Sequence, residues 1–149
     1  MEHNRFELFS TGAAHIVKKL QLLKSHKMAQ YDLKGTTCFC LCQLLSSEEG
    51  LTAGELSECC GIDKAQVSRC VADLTSCGFI YRDDKEGRRY RQKYMLTTQG
   101  RAAALDISRT TMQIQAQAEQ GVNAEDLDAF YRVLSHMCNN LSDLREQVE

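Results

Sequence analysis

The sequence predicts a mainly helical fold that carries one small β-hairpin, and three observations predict it. Two helix-start signals follow each other closely, Thr52 with Glu55 and Asp63 with Gln66. A polar segment containing Gly87, DDKEGRR, lies between two strand-like runs. Rows of apolar residues spaced by three and four occupy both ends of the chain.

The middle stretch, Leu51–Gly100, follows in order as helix, turn, helix, strand, basic hairpin tip and strand. Thr52 and Glu55 have the spacing of a capping box, in which each side chain satisfies an orphan amide of the first helical turn. Gly61 supplies a residue able to turn left-handed past a helix end, and Asp63 with Gln66 repeats the capping signal for a second helix. Two short helices meeting at a tight turn form a helix-turn-helix. Gly78 ends the second helix, and Phe79–Arg82 and Tyr90–Thr97 are the expected strands of a hairpin wing. The expected fold is therefore mainly α with a small β-hairpin wing, a winged helix-turn-helix with N- and C-terminal dimerisation helices.

In the second helix Val67, Cys70, Val71 and Leu74 share one side, whereas Lys64, Gln66, Ser68, Arg69 and Ala72 lie largely off it. The second group is small, polar and mildly basic. A helix that enters a major groove needs small residues for close approach and donors that reach base edges or phosphates. Gln66 and Arg69 suit bases, and Lys64, Ser68 and Arg69 suit phosphate. The candidate DNA-binding residues are Thr52, Lys64, Ala65, Gln66, Ser68, Arg69, Arg88, Arg89 and Arg91. A plain surface helix with solvated charges is the alternative for the second helix alone, and the basic hairpin that follows it favours the DNA reading.

Charge is distributed to match. Residues 64–109 hold ten Lys or Arg against five Asp or Glu, residues 1–63 six against eight, and residues 110–149 two against seven. The net charge of −2 thus hides a basic middle between acidic ends.

The 149 residues, 43% of them apolar, suffice for one sizeable core and one domain spanning 1–149. Within it, 33–100 is the expected winged core, 1–30 and 110–149 dimerisation helices, and 98–120 a connector helix. No run reaches the length of a membrane span, and MEHNRFELF lacks the features of a secretion signal, so the expected location is cytoplasmic with no membrane partner. Proline is absent, and no repeat or linker divides the chain.

At the N-terminal end Phe6, Phe9, Ala13, Ile16, Leu20 and Leu23 form one apolar row; at the C-terminal end Leu127, Phe130, Leu134, Met137, Leu141, Leu144 and Val148 form another. Such rows pack within one chain or between two copies. The favoured expectation is a homodimer interface built on Phe6, Phe9, Leu134, Met137, Leu141 and Leu144, since helices polar over most of their surface bury narrow rows best by intertwining with a twofold mate. Thr98–Gln120 joins the wing to the last helix, with a break at Gly121 and an Asn123/Asp126 cap.

These residues resemble the MarR (multiple-antibiotic-resistance regulator) family of bacterial transcription factors. LTAGELSECCGIDKAQVSRCVADLTSCGFIYR and GRRYRQKYMLTTQG carry the likeness. Its most specific pieces are Asp63-Lys64, Val67-Ser68-Arg69, Leu74 through Gly78, and Leu96-Thr97 followed by Gly100. The resemblance implies a homodimer on a pseudo-palindromic double-stranded operator. The Lys64–Arg69 helix would enter successive major grooves, and Arg88 or Arg89 of the wing the flanking minor groove. The family wing commonly carries Asp-Arg-Arg, and here Glu86-Gly87-Arg88-Arg89 stands in that place. The resemblance further implies a repressor released by a small aromatic or phenolic effector. Its cleft would lie among the first helix, the Lys34–Leu45 helix and the connector, with Phe9, Phe39 and Cys42 either lining it or packed as core.

Eight cysteines are unusual for this length. Cys38 and Cys42 stand one helical turn apart, the spacing of a redox or metal pair, with Cys40 pointing elsewhere. FCLCQLL equally suits a buried helix face, since free cysteine packs as a small hydrophobe, and that is the favoured reading. Cys-x-x-Cys pairs and zinc-finger spacing are absent, and no cofactor or metal is expected. The family's peroxide sensors keep a cysteine in the first helix, and this chain has none there. His3, His15, His26 and His136 are scattered, and no phosphate loop, nucleophile elbow or metalloprotease helix occurs, so the chain is not expected to be an enzyme. The remaining rival is a winged-helix protein-interaction module.

Overall fold

A computed structural model describes residues 2–83 and 92–146. In chain order the elements are α1 (Glu2–Met28), α2 (Gly35–Leu45), β1 (Leu51–Thr52), α3 (Ala53–Cys60), α4 (Lys64–Ser76), β2 (Ile80–Asp83), β3 (Lys93–Leu96), α5 (Thr98–Ala118) and α6 (Ala124–Glu146). The sequence anticipated a mainly helical chain with a small sheet, and the chain has that fold.

Both capping boxes form. Thr52 Oγ1 accepts from the Glu55 amide at 3.2 Å while Glu55 Oε2 accepts from the Thr52 amide at 2.7 Å. Asp63 Oδ1 accepts from the Gln66 amide at 2.8 Å, and Gln66 Oε1 from the Asp63 amide at 3.2 Å. Between them Gly61 turns the chain at φ 62°, a left-handed conformation that costs glycine nothing in Cβ overlap.

The sheet has the antiparallel order β1-β3-β2. β1 was not expected from sequence; only two residues long, it shows no alternation to detect and exists because Leu51 and Thr52 pair with Tyr94 and Lys93. The hairpin strands also differ at their ends. Phe79 stays outside β2 because its amide closes the end of α4 on the Leu74 carbonyl at 2.9 Å. Thr97 leaves β3 to cap α5: its hydroxyl donates to the Gly78 carbonyl at 2.7 Å and accepts from the Gly100 amide at 2.9 Å. Gly100 itself packs so tightly on the Phe79 carbonyl that a Cβ would overlap it.

The chain divides into two compact units, 1–114 and 115–149. The boundary falls inside α5, whose buried residues end at Ile107. In the first unit the core joins Met28, Leu33, Cys38, Cys40, Leu41 and Leu44 to Leu56, Val67, Cys70, Leu74, Phe79, Ile80, Ala103, Ala104 and Ile107. Tyr31 adds a polar tie, its hydroxyl bonded to Asp106 and its ring edge-on to Phe79 at 6.2 Å. Burial first, then the Asp106 carboxylate, push the Tyr31 hydroxyl up to about 12. In the second unit Asn123 caps α6 through a 2.8 Å bond from the Asp126 amide, and the Tyr131 hydroxyl and Gln115 meet Glu119. No described helix is long and apolar enough to cross a membrane.

Candidate nucleic-acid interface

α4 divides into two faces. Val67, Cys70 and Leu74 are buried, whereas Lys64, Ala65, Ser68, Arg69 and Ala72 are exposed. The exposed face is the one whose side chains were expected to meet DNA. Burial of the opposite face against α2 and α3 fixes its orientation, so the donors point outward from a helix that cannot rotate. A broad groove of about 810 Å³ runs beside it, lined by Gly54, Lys64, Ser68, Thr75, Arg82 and Tyr94 among others.

Two of the candidates are modified by their local bonds. Thr52 is half-buried, and its hydroxyl both accepts in the capping box and donates to Glu55 Oε2 at 2.9 Å. It therefore has no spare proton for a phosphate. Gln66 has its carbonyl oxygen committed to the Asp63 amide, which turns its NH₂ group into the end available for a base acceptor. Arg88, Arg89 and Arg91 lie outside the described residues.

Arg82 and Tyr94 belong to this surface and were not among the candidates. They are cross-strand partners on β2 and β3, and the Arg82 guanidinium sits over the Tyr94 ring at 5.8 Å from its centroid. The stacking orients a cation on the rim of the groove beside α4. Only strand register brings the two together. Lys93, one pair further, is held by Glu49 at 3.5 Å.

Residues 31–89 match the model of the MarR family. The MarR-type fold extends well beyond the matched segment. The transcriptional regulator SlyA superposes with a TM-score of 0.84 at 19% identity, over 95% of this chain and 99% of that one. MepR of S. aureus, in complex with DNA, gives 0.81 at 18% identity over 89% and 97%. A MarR protein from Peptoclostridium difficile gives 0.84 at 13% identity over 95% and 92%. At such identities the likeness establishes the fold. The family and these neighbours are transcription regulators rather than enzymes. No curated protein matches the sequence.

The cleft residues separate. Phe39 is 46% exposed and, with Cys42, lines a cavity of about 170 Å³ between α1, α2 and α5, together with Lys24, Cys38, Ile107 and Thr111; Cys42 also packs against the core. Phe9 lies elsewhere on α1, is 44% exposed and does not line this cavity. Burial of Cys38, with Cys42 adding to it, pushes the Cys38 thiol up to about 12. Burial raises Cys42 too, and the nearby Lys24 ammonium partly offsets this. The Cys42 thiol points at the Ala104 carbonyl, 3.9 Å away. The sulfur–sulfur contact instead joins Cys40 of α2 to Cys60 of α3 at 3.5 Å. Among the described residues no group of three or more His, Cys, Asp or Glu is placed to hold a metal ion.

The apolar rows expected at a dimer interface remain uncovered. Phe6, Phe9 and Ile16 on α1 and Phe130, Leu134, Leu141 and Leu144 on α6 are exposed, with Met137 half-buried. α1 also exposes Leu8, Val17 and Leu22, which lie off the expected row. Its apolar surface is wider than the three-and-four spacing indicated.

Proposed function

We propose that the chain is a homodimeric, sequence-specific, DNA-binding transcriptional repressor of the MarR type, acting in the cytoplasm. The observation that carries this reading is the outward face of α4, where Lys64, Ala65, Ser68 and Arg69 are exposed while the opposite face is locked into the core. In the proposed complex Arg69 and the Gln66 amide reach base edges in the major groove, and Lys64 and Ser68 bind phosphate. Arg82, propped on Tyr94, adds a backbone contact, and Arg88, Arg89 and Arg91 act in or near the minor groove. The neighbour MepR bound to DNA supports a nucleic-acid role for this fold.

The exposed row on each of α1 and α6 supports the homodimer, since an apolar face left open along a helix marks an interaction site. Twofold symmetry then calls for an operator with two related half-sites. Release is assigned to a small aromatic or phenolic acid in the cavity beside Phe39 and Cys42, where the Lys24 ammonium would meet the acid's charge. A redox or metal role for Cys38 and Cys42 has less support, because the Cys42 thiol is turned to the Ala104 carbonyl and no group of three or more metal-ligating side chains lies among the described residues.

The test is fluorescence anisotropy on duplexes selected from a random pool, at several salt concentrations. A selected palindrome should be bound far more tightly than a scrambled one, with affinity falling steeply as salt rises. Replacing Arg88 and Arg89 together by Ala should weaken both duplexes and make the log-log salt slope shallower by roughly one unit per lost phosphate contact. Failure to select any duplex would leave the winged core as a protein-interaction module.

A further inference from the structure

Three thiols from three helices of the winged core converge beneath α4. Cys40 of α2 and Cys60, the last residue of α3, hold their sulfurs 3.5 Å apart. Cys70, on the buried face of α4, lies beside both and accepts from Thr37 Oγ1 at 3.6 Å. Cys40 therefore faces both Cys60 and Cys70, and Cys60 is the partner that reaches the surface.

Contact and access together set this pair apart from the other cysteines. Its sulfurs are in van der Waals contact and would need to approach by about 1.5 Å to reach the ~2.05 Å length of a disulfide. Cys60 is the final residue of its helix, and the turn after it is tied back onto α3 by the Gly61 and Ile62 amides on the Glu58 and Ser57 carbonyls, so the approach falls to the two side chains. Access is also graded: Cys60 is half-buried and open to a small reagent, whereas Cys40 is wholly buried. A reagent therefore meets Cys60 first and finds Cys40 waiting behind it.

We propose that Cys40 and Cys60 form a redox-active dithiol that a hydroperoxide closes into an intrachain disulfide, tying α2 to the end of α3 just ahead of the turn into α4. In the first step the Cys60 sulfur attacks a peroxide oxygen, the O–O bond breaks, and the departing hydroxide or alkoxide takes up the thiol proton. Cys60 becomes a sulfenic acid, oxidised by two electrons. The Cys40 sulfur then attacks the Cys60 sulfur, the S–O bond breaks, and hydroxide leaves as water with the Cys40 proton. Two thiols and one hydroperoxide yield one disulfide, one water and one alcohol or second water. Burial raises both thiols, so each meets the oxidant in its protonated form. The new bond would end three residues before Asp63, the N-cap of α4. An effect on DNA binding would rest on the function proposed above; the bond itself does not.

The test exposes the full chain to hydrogen peroxide, alkylates it under denaturing conditions and cleaves it with trypsin and a glutamate-specific protease. The number of alkylated thiols should fall by two from eight, with peptide 35–48 joined to peptide 59–64 and the protein still monomeric on a non-reducing denaturing gel. Cys59→Ser should keep the link, and both Cys60→Ser and Cys40→Ser should abolish it. Cys60 is only half-buried, so Cys60→Ser stays informative if the Cys40 variant does not fold. Unlinked peptides in a folded wild type, or a link that survives Cys60→Ser, overturns the proposal.

Discussion

The winged core and the two long terminal helices use the same residue types in opposite ways. In the core Leu41, Leu44, Leu56 and Leu74 are at most 1% exposed. On α1 and α6, Phe6 is 70% and Leu141 57% exposed although their spacing is just as helical. The difference lies in whether the chain supplies a second surface. α2, α3 and α4 are short and cover one another. The apolar rows of α1 and α6 are left uncovered. Periodicity reveals that a face is apolar; it does not reveal what lies on it.

The largest expected effect breaks the terminal helices away from their proposed partner. Leu134→Asp combined with Leu141→Asp should abolish the dimer in light scattering, because an unpaired carboxylate in an apolar interface has no compensating charge. A folded dimer carrying both substitutions would show that the α6 row is not the interface. In the core, Leu74→Ala should cost about 2–5 kcal/mol in denaturant unfolding through a cavity that its neighbours cannot fill. A loss well under 1 kcal/mol would show that the core is not where stability resides.

Smaller effects sharpen the contrast between the two faces of α4. Arg69→Ala should lower affinity for a selected duplex by about 1–3 kcal/mol if its contact is bidentate, with melting unchanged. Equal binding by wild type and variant would remove Arg69 from the interface. Asp63→Ala should do the reverse in kind, lowering stability by about 0.5–2 kcal/mol through loss of the α4 cap. Thermal melting reads it, and a variant as stable as wild type would mean that the capping box adds nothing to the turn.

The fold was legible because its punctuation is local. Thr52, Asp63, Gly61 and Asn123 act within three residues of themselves, and each sits at the helix end where its chemistry placed it. The outward face of α4 was legible for the same reason, since helical spacing alone separates Ser68 and Arg69 from Val67 and Leu74. Strand ends were less so. Phe79 and Thr97 look like strand residues, yet one amide closes α4 and one hydroxyl caps α5, bonds made across the hairpin and not along it.

The sequence by itself determined the order of elements, where the helices start, and which side of α4 faces out, because hydrogen bonds within a turn and 3.6-residue periodicity need no distant partner. Tertiary structure alone decided the rest. It exposed Phe39 while burying its neighbours Cys38 and Cys40, added a third strand, stacked Arg82 on Tyr94, and set Cys40 against Cys60 rather than leaving Cys38 and Cys42 as the pair in contact. Each of these depends on the register or crossing of elements far apart in sequence. That geometry arises when whole faces pack, and residue spacing along the chain does not encode it.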